Sequence, residues 1–292
     1  MEKLKGRVAV VAGASRGAGR GIALALGEAG ATVYVTGRTT RSGPQPSDGA
    51  PGTIDDTAEE VTDRGGVGIP VRVDYTVEAD VAAVFERVER EQGRLDVLAN
   101  AVWGASDAHT SFEEWQADWR RPFWESALGG WRHMMTGGAF AYLAASCHAA
   151  PLMAAQGHGL IVGVTDGVMD DTGTGEYQGQ LIWDLAHHGI NRMLLGMSVE
   201  AKPHNIAVIT LMPGFMQTER VLMYLKTEAL KKRFRFDKSE STQYLGRAVA
   251  ALAADPDVME KTGKLLFVAD LAQEYGFTDV DGRFIPRFNP FD

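Results

Sequence analysis

The chain has a single cysteine, Cys147, in 292 residues. That excludes an intrachain disulfide and fits a reducing compartment, and no Cys/His spacing reads as a zinc or other metal site. Positive charge is also short, since 29 Lys and Arg against 38 Asp and Glu leave a formal net charge of −9. Nucleic acid and anionic membranes both need concentrated positive charge, so neither is expected as the main partner. No apolar run reads as long enough to span a bilayer. The opening residues, Met1-Glu2-Lys3-Leu4-Lys5-Gly6-Arg7, lack an apolar signal-peptide core. Together these absences predict a cytoplasmic protein.

What the chain does have is alternation. Short β-branched runs at residues 8–12, 32–36, 68–73, 95–99, 160–164, 206–211 and 265–268 read as strands. Amphipathic segments between them, at 19–29, 54–64, 77–92, 131–154, 181–202 and 243–254, read as helices. The pattern predicts an α/β fold: one doubly wound, seven-stranded parallel sheet with helices on both faces. No linker and no internal repeat divides residues 1–292, which are therefore expected to form a single domain. Two long irregular stretches interrupt the pattern. Residues 39–53 are rich in Gly, Pro and Ser, and residues 166–180 are rich in Gly and acidic side chains.

The first strand runs into Gly13-Ala14-Ser15-Arg16-Gly17-Ala18-Gly19 and then a helix. Glycines let backbone approach a pyrophosphate closely, and the helix N-terminus offers it free N–H groups, so this junction predicts a dinucleotide site of Rossmann type. An NAD site wants a carboxylate at the end of the second strand. Here that strand ends Val35-Thr36-Gly37-Arg38, with no acid until Asp48. Arg16 and Arg38 suit a 2′-phosphate instead, which favours NADP over NAD.

The turn Gly13-x-x-x-Gly17-x-Gly19 resembles that of the short-chain dehydrogenase/reductase family. Val73-Asp74-Tyr75, Leu98-Ala99-Asn100-Ala101 and Pro213-Gly214 with Thr218 follow in the same order, and the likeness runs on through Glu274-Tyr275-Gly276-Phe277. The resemblance implies Ser15 in the phosphate turn, Asp74 near the adenine and Asn100 beside the adenosine ribose. It also implies Pro213, Gly214 and Thr218 around the nicotinamide, and a homo-oligomer, dimer or tetramer, assembled through the helices at 131–154 and 181–202.

The resemblance further implies hydride transfer to a carbonyl while a tyrosine protonates the forming alkoxide. A lysine four residues later lowers that tyrosine's pKa from about 10 and binds the nicotinamide ribose. Alignment on Pro213-Gly214 and Asn191-Arg192-Met193 instead sets Trp183 at the tyrosine position and His187 at the lysine position, an atypical active site without Tyr-x-x-x-Lys. An indole N–H donates a hydrogen bond but does not ionise, so Trp183 cannot supply the proton. Thr165 at the end of strand five stands in for the family's serine, and the family's asparagine is missing between residues 131 and 146. Tyr177, in the loop before the helix, is the alternative donor, with His187 holding a ribose hydroxyl and relaying a proton near pH 7. The competing reading makes Tyr177 a surface residue and His187 a packed one. Asp166, Asp170, Asp171 and Asp184 crowd the same region as further acids or bases. Adjacent His187 and His188 point in different directions on a helix and do not read as a metal pair. Phe112, Trp115, Trp119, Phe123, Trp124 and Trp131 suit an apolar substrate pocket, a core or a subunit interface alike.

The first function expected is therefore an NADP(H)-dependent oxidoreductase acting on a small-molecule carbonyl or alcohol with an altered proton donor. Its alternative is a catalytically inactive NADP(H)-binding sensor or scaffold of the same fold. A third reading keeps an enzyme but changes the reaction to an elimination or isomerisation.

Overall fold

Seven small or β-branched runs become strands: β1 (Val8–Ala12), β2 (Thr32–Gly37), β3 (Val67–Arg72), β4 (Val97–Asn100), β5 (Gly159–Val164), β6 (Ile206–Met212) and β7 (Leu265–Phe267). The computed structural model describes residues 3–44, 46, 48–104, 111–119, 121–126, 128–166 and 180–288. All seven strands pair parallel in the order β3-β2-β1-β4-β5-β6-β7, as the alternating pattern predicts. β1, β4 and β6 are buried along their whole length, which a parallel sheet covered on both faces requires.

One face packs Val33, Leu24, Val249 and Leu252 beneath α1 (Gly17–Glu28) and, late in the chain, a helix at Thr242–Ala254. The other packs Val84, Phe85, Ala145 and Leu194 under three helices. These are α3 (Glu78–Gln92), which follows α2 (Ile54–Asp63), and two later helices over Ala141–Gln156 and Leu181–Ala201. The chain reverses its direction of travel across the sheet between β1 and β4, opening a crevice at their C-terminal ends. Register lines those ends up: Ala12 pairs with Asn100, Asn100 with Gly163 and Gly163 with Thr210.

Several short helices lie outside the expected set. They are α4 (Phe112–Asp118), α8 (Glu219–Tyr224), α9 (Glu228–Arg233) and α11 (Val268–Tyr275). The first three start at Ser111, Thr218 and Thr227, whose side chains accept N–H groups of the first turn. Each is too short to show a 3.6-residue period. The segment expected at 131–154 is longer and interrupted: α5 (Leu128–Met134), a π-helical turn (Met135–Phe140) and α6 (Ala141–Gln156). Against expectation, this 29-residue stretch is long and apolar enough to cross a membrane by length and composition. In the fold part of its apolarity goes into packing, with Ala141, Ala145, Ala149 and Met153 buried, while Leu128, Phe140 and Leu143 stay exposed. Helices α7 (Leu181–Ala201) and α10 (Thr242–Ala254) complete the set.

At the opposite end of the strands from the crevice, Asp96 ties β1, β4 and β5 together. Its buried carboxylate accepts from Val8 N (2.8 Å) and Arg94 Nε (2.9 Å), and it meets Arg7 Nη1 (2.8 Å) and His158 Nε2 (2.9 Å). Burial alone raises this carboxyl, but the donors led by Arg94 outweigh it and hold it down at about 2. A depressed carboxyl stabilises the fold above its unfolded value and loses that contribution as pH falls through the folded one. Asp96→Asn is therefore expected to cost about 2 kcal/mol near neutral pH. Urea unfolding at descending pH should show the variant and the native chain converging between about pH 4 and about pH 2.

Candidate active site

The glycine turn is built by backbone packing too close for any side chain. Gly13 has φ of +79°, and a Cβ there would lie 2.9 Å from Ala101 O and Val102 N. A Cβ on Gly19 would lie 2.2 Å from Gly13 O. The turn therefore lies against the end of β4 and directs the N-terminus of α1 into the crevice, where Gly17 N–H donates to Glu219 Oε2 at 2.7 Å. A carboxylate thus already occupies the place at the helix N-terminus where a phosphate oxygen binds. The glycine cradle and the anion it holds both fit a nicotinamide dinucleotide.

Arg16 and Arg38 both reach this end of the site. Arg16 donates to Asp48 Oδ1 (3.3 Å), Thr39 Oγ1 (3.1 Å) and Gly52 O (3.3 Å). Burial lowers its pKa, Asp48 and Glu219 oppose that, and nearby Arg38 and Arg220 add to it. Arg38 itself is exposed. The sequence reading left the end of β2 without an acid; the 39–53 loop supplies one by folding Asp48 back into the site. The Asp48 side chain is 1% exposed, and Arg220 Nε lies 3.7 Å from its second oxygen.

The other residues expected to hold the cofactor lie at or just past the C-terminal ends of their strands. Ser15 lies half-buried in the turn. Asp74, past β3, accepts from Thr76 N (3.0 Å) and Thr76 Oγ1 (2.7 Å). Asn100 is buried at the end of β4 and donates to Ser146 Oγ at 3.3 Å; its Oδ1 has no hydrogen-bond partner among the described residues. Thr218 caps α8 and lies 3.7 Å from where a Gly17 Cβ would stand. Past Pro213, Gly214 N–H donates to Glu240 Oε2 at 3.0 Å. Burial pushes that carboxyl up to about 8; the Gly214 bond opposes the rise and Asp279 adds to it. Glu219, Arg220 and Glu240 carry no motif, which is why sequence reasoning passed over them, and it met Asp48 only as an acid too far along the chain to count.

Thr165 and His187 meet at the end of β5. His187 Nδ1 accepts from Asp166 N–H at 3.0 Å, with Thr165 Oγ1 3.4 Å away. An Nδ1 that accepts a backbone N–H places the proton of a neutral ring on Nε2. That Nε2 is buried and has no hydrogen-bond partner among the described residues. The ring stacks on Trp103 (centroids 4.3 Å apart) and lies 4.9 Å from Trp183, which meets Trp103 edge-on at 5.1 Å. Trp103 in turn fits against Gly138 of the π-helical turn, where a Cβ would come within 2.9 Å of its ring. Burial, with a smaller push from His188, lowers the His187 pKa to about 3. Burial thus disfavours the charged ring that the proton relay near pH 7 expected from the sequence would need. Its Nε2–H remains a hydrogen-bond donor.

Asp166 stands at the lip of this cluster. Desolvation raises its carboxyl and the Trp183 indole opposes the rise; the residue is itself exposed, so solvent limits the shift. Asp184 lies on α7, 3.6 Å from His188 Nε2. Tyr177, Asp170 and Asp171 lie outside the described residues. From Trp183 an aromatic wall continues through Trp119 (5.8 Å) and Trp115 (5.8 Å) to Phe112 (5.7 Å), which also meets Tyr224 of α8 at 5.2 Å. Phe123 and Trp124 are exposed and meet edge-on, and Trp131 packs beside Trp103 and Trp183.

Because its folded pKa lies below the usual 6.5, His187 stays neutral in the folded protein and favours folding less as pH falls from about 6.5 toward about 3. In NMR spectra of ring-labelled protein, its signal should hold the neutral shift from about pH 8 to about pH 5. A midpoint near the ordinary histidine value would show a solvated ring and dismantle this description.

Comparison with known proteins agrees with the geometry. Residues 7–228 match the short chain dehydrogenase family. Dehydrogenase/reductase SDR family member 1 of Homo sapiens is 35% identical over 288 residues, covering 96% of this chain and 85% of that protein. A short chain dehydrogenase from Mycobacterium thermoresistibile superposes with a TM-score of 0.77 at 21% identity, over 99% of this chain and 95% of the other. YwfH, an NADPH dependent reductase involved in bacilysin biosynthesis, superposes with a TM-score of 0.66 at 21% identity, over 90% and 97%. The two superpositions speak for the fold, while the family match and the human relative speak for kinship. The chain belongs to the short chain dehydrogenase family and is, by that membership, of an oxidoreductase line.

Proposed function

We propose that the protein is an NADP(H)-dependent oxidoreductase of a small carbonyl or alcohol substrate, working in the cytosol with an altered proton donor. The observation that carries this reading is the glycine cradle ending at Gly17 N–H, with a carboxylate already bound there and Arg16 and Arg38 beside it. YwfH, similar in fold, is described as NADPH dependent, and preference for the phosphorylated dinucleotide here rests on those two arginines. When bound, the nicotinamide supplies or accepts the hydride.

The chain's own residues do the rest. Gly13, Gly17 and Gly19 admit the pyrophosphate, Ser15 and Thr218 flank it, and Asp74 and Asn100 line the adenosine side. Pro213 and Gly214 form the floor beneath the nicotinamide, braced by Glu240. Thr165 orients the substrate oxygen. His187 offers Nε2–H to a ribose hydroxyl but brings no positive charge, so it cannot lower a neighbour's pKa as a lysine would. Trp103 and Trp183 shield the ring from water. Tyr177 gives the proton to the forming alkoxide.

The test measures NADPH binding by calorimetry and NADPH consumption against a broad panel of aldehydes and ketones. Micromolar binding with turnover is expected, and Tyr177→Phe should lower kcat by roughly 10²-fold or more. If Asp166→Asn abolishes turnover while Tyr177→Phe spares it, the donor is Asp166 instead. Normal binding with no turnover on any substrate would leave only a nucleotide-binding protein.

We also propose that copies of the chain associate through α6 and α7. Leu143 on α6 and Leu185, Leu195 and Val199 on α7 are exposed apolar residues, which a homo-oligomer of this family would cover. Sedimentation should show dimers or tetramers for the native chain and monomers for Leu195→Lys combined with Val199→Lys. Monomeric native protein at micromolar concentration would end this proposal.

A further inference from the structure

Helix α1 has no cap of its own. Arg16 makes no side-chain cap hydrogen bond, and its first turn contains no acidic residue. A helix N-terminus carries unsatisfied N–H groups and a partial positive charge, so it attracts an anion. Here the anion comes from 202 positions away along the chain: Glu219 Oε2 accepts from Gly17 N–H at 2.7 Å, and Glu219 Oε1 lies 4.0 Å from Arg20 Nη1. Next to it, Arg220 reaches the buried Asp48 (3.7 Å) and donates from Nε to Tyr224 Oη (3.1 Å). The Tyr224 ring rests on Phe112 of the aromatic wall. Helix α8 has six residues and buries none of them. Polar contacts and the Tyr224–Phe112 ring contact, with no fully buried side chain, therefore hold it over the cradle, which places it among the more easily opened parts of a fold.

We propose that Glu219 is an internal substitute for the cofactor's phosphate: it latches α8 across the dinucleotide cradle in the free protein and has to leave before the cofactor seats. This rests on the dinucleotide reading given above. The Glu219 side chain is 22% exposed, so solvent and ligand both reach it. A phosphate brings more acceptor oxygens and more charge to the same N–H groups, and it wins the exchange at the cost of breaking the latch. The affinity measured for the native chain is the intrinsic affinity reduced by the fraction of molecules already unlatched. The same helix carries Arg220 and Tyr224, so release at the phosphate end is passed to the aromatic wall.

The experiment compares the native chain with Glu219→Gln and with Glu219→Asp, measuring NADPH Kd by calorimetry and Tm with and without NADPH. The aspartate keeps the charge but is one methylene too short for the contact, and it serves if the glutamine variant folds poorly. Both variants are expected to bind NADPH roughly tenfold more tightly, to have a lower Tm when free, and to match the native Tm when saturated. Inorganic pyrophosphate should show the same order of affinities. Unchanged or weaker NADPH binding in both variants, with the native chain binding normally, overturns the latch alone. If neither native nor variant protein binds any nicotinamide nucleotide, the dinucleotide reading falls and takes the latch with it.

Discussion

The whole site depends on one close contact between backbones. The head of β1 packs so tightly on the end of β4 and on the start of α1 that no Cβ fits at Gly13 or Gly19. That contact fixes the direction of α1 and aims its unsatisfied N–H groups into the crevice between the two halves of the sheet. The register of β4, β5 and β6 then sets the distance from this electropositive end to Thr165. A methyl group at either glycine would move the helix, the anion at its tip and the wall beyond it. Stability and function are tied together here because the same few ångströms serve both.

Much of this was legible in the sequence, and what was legible shares a cause. The strands, the glycine turn and the residues at strand ends are read from local patterns: periodicity, β-branching and glycine spacing. Most long helices followed for the same reason, with ends off by a residue or two; the one expected at 131–154 begins three residues earlier and is broken by a π-helical turn. What escaped was long-range. Asp48 sits in a Gly- and Pro-rich loop whose composition says only that it turns, yet its carboxylate becomes a buried partner of Arg16. Trp103, Trp183 and His187 come together from three segments, and the room for Trp103 depends on Gly138 in a π-helical turn that no period announces. Glu219 reads as an ordinary first-turn acid of a short helix, and only the fold shows that it serves another helix altogether.

In the site we propose, with His187 where the family resemblance implies a lysine, the electrostatics change more than the hydrogen bonding. A lysine would bring a permanent charge; His187 is held neutral by burial among indole rings, and its tautomer is set by Asp166 N–H. The ring can still donate from Nε2, so a positioning role survives. The field that favours an ionised neighbour does not. Any acid at this site has to find its proton affinity elsewhere, from exposure, from carboxylates or from the mobile charge of a bound nucleotide. Trp183 answers a different need, since an indole closes the space and stacks on the imidazole without adding a charge that would have to be solvated.

The two carboxylates at the phosphate end differ in a way that assigns them different duties. Three guanidinium groups (Arg16, Arg38 and Arg220) gather near a helix N-terminus, an arrangement that repels itself when no anion is present. Asp48, 1% exposed and held by Arg16 on one side and Arg220 on the other, is a fixed counter-charge whose removal leaves these half-buried cations short of compensation. Glu219, 22% exposed and carried on a helix with no buried residue, offsets the same field from a position that solvent reaches. A permanent counter-ion lets the arginines exist in the folded protein. An exchangeable one lets the site stay neutralised when free and still yield to a stronger anion, so a chain with an acidic surface keeps a cationic pocket without unfolding around it.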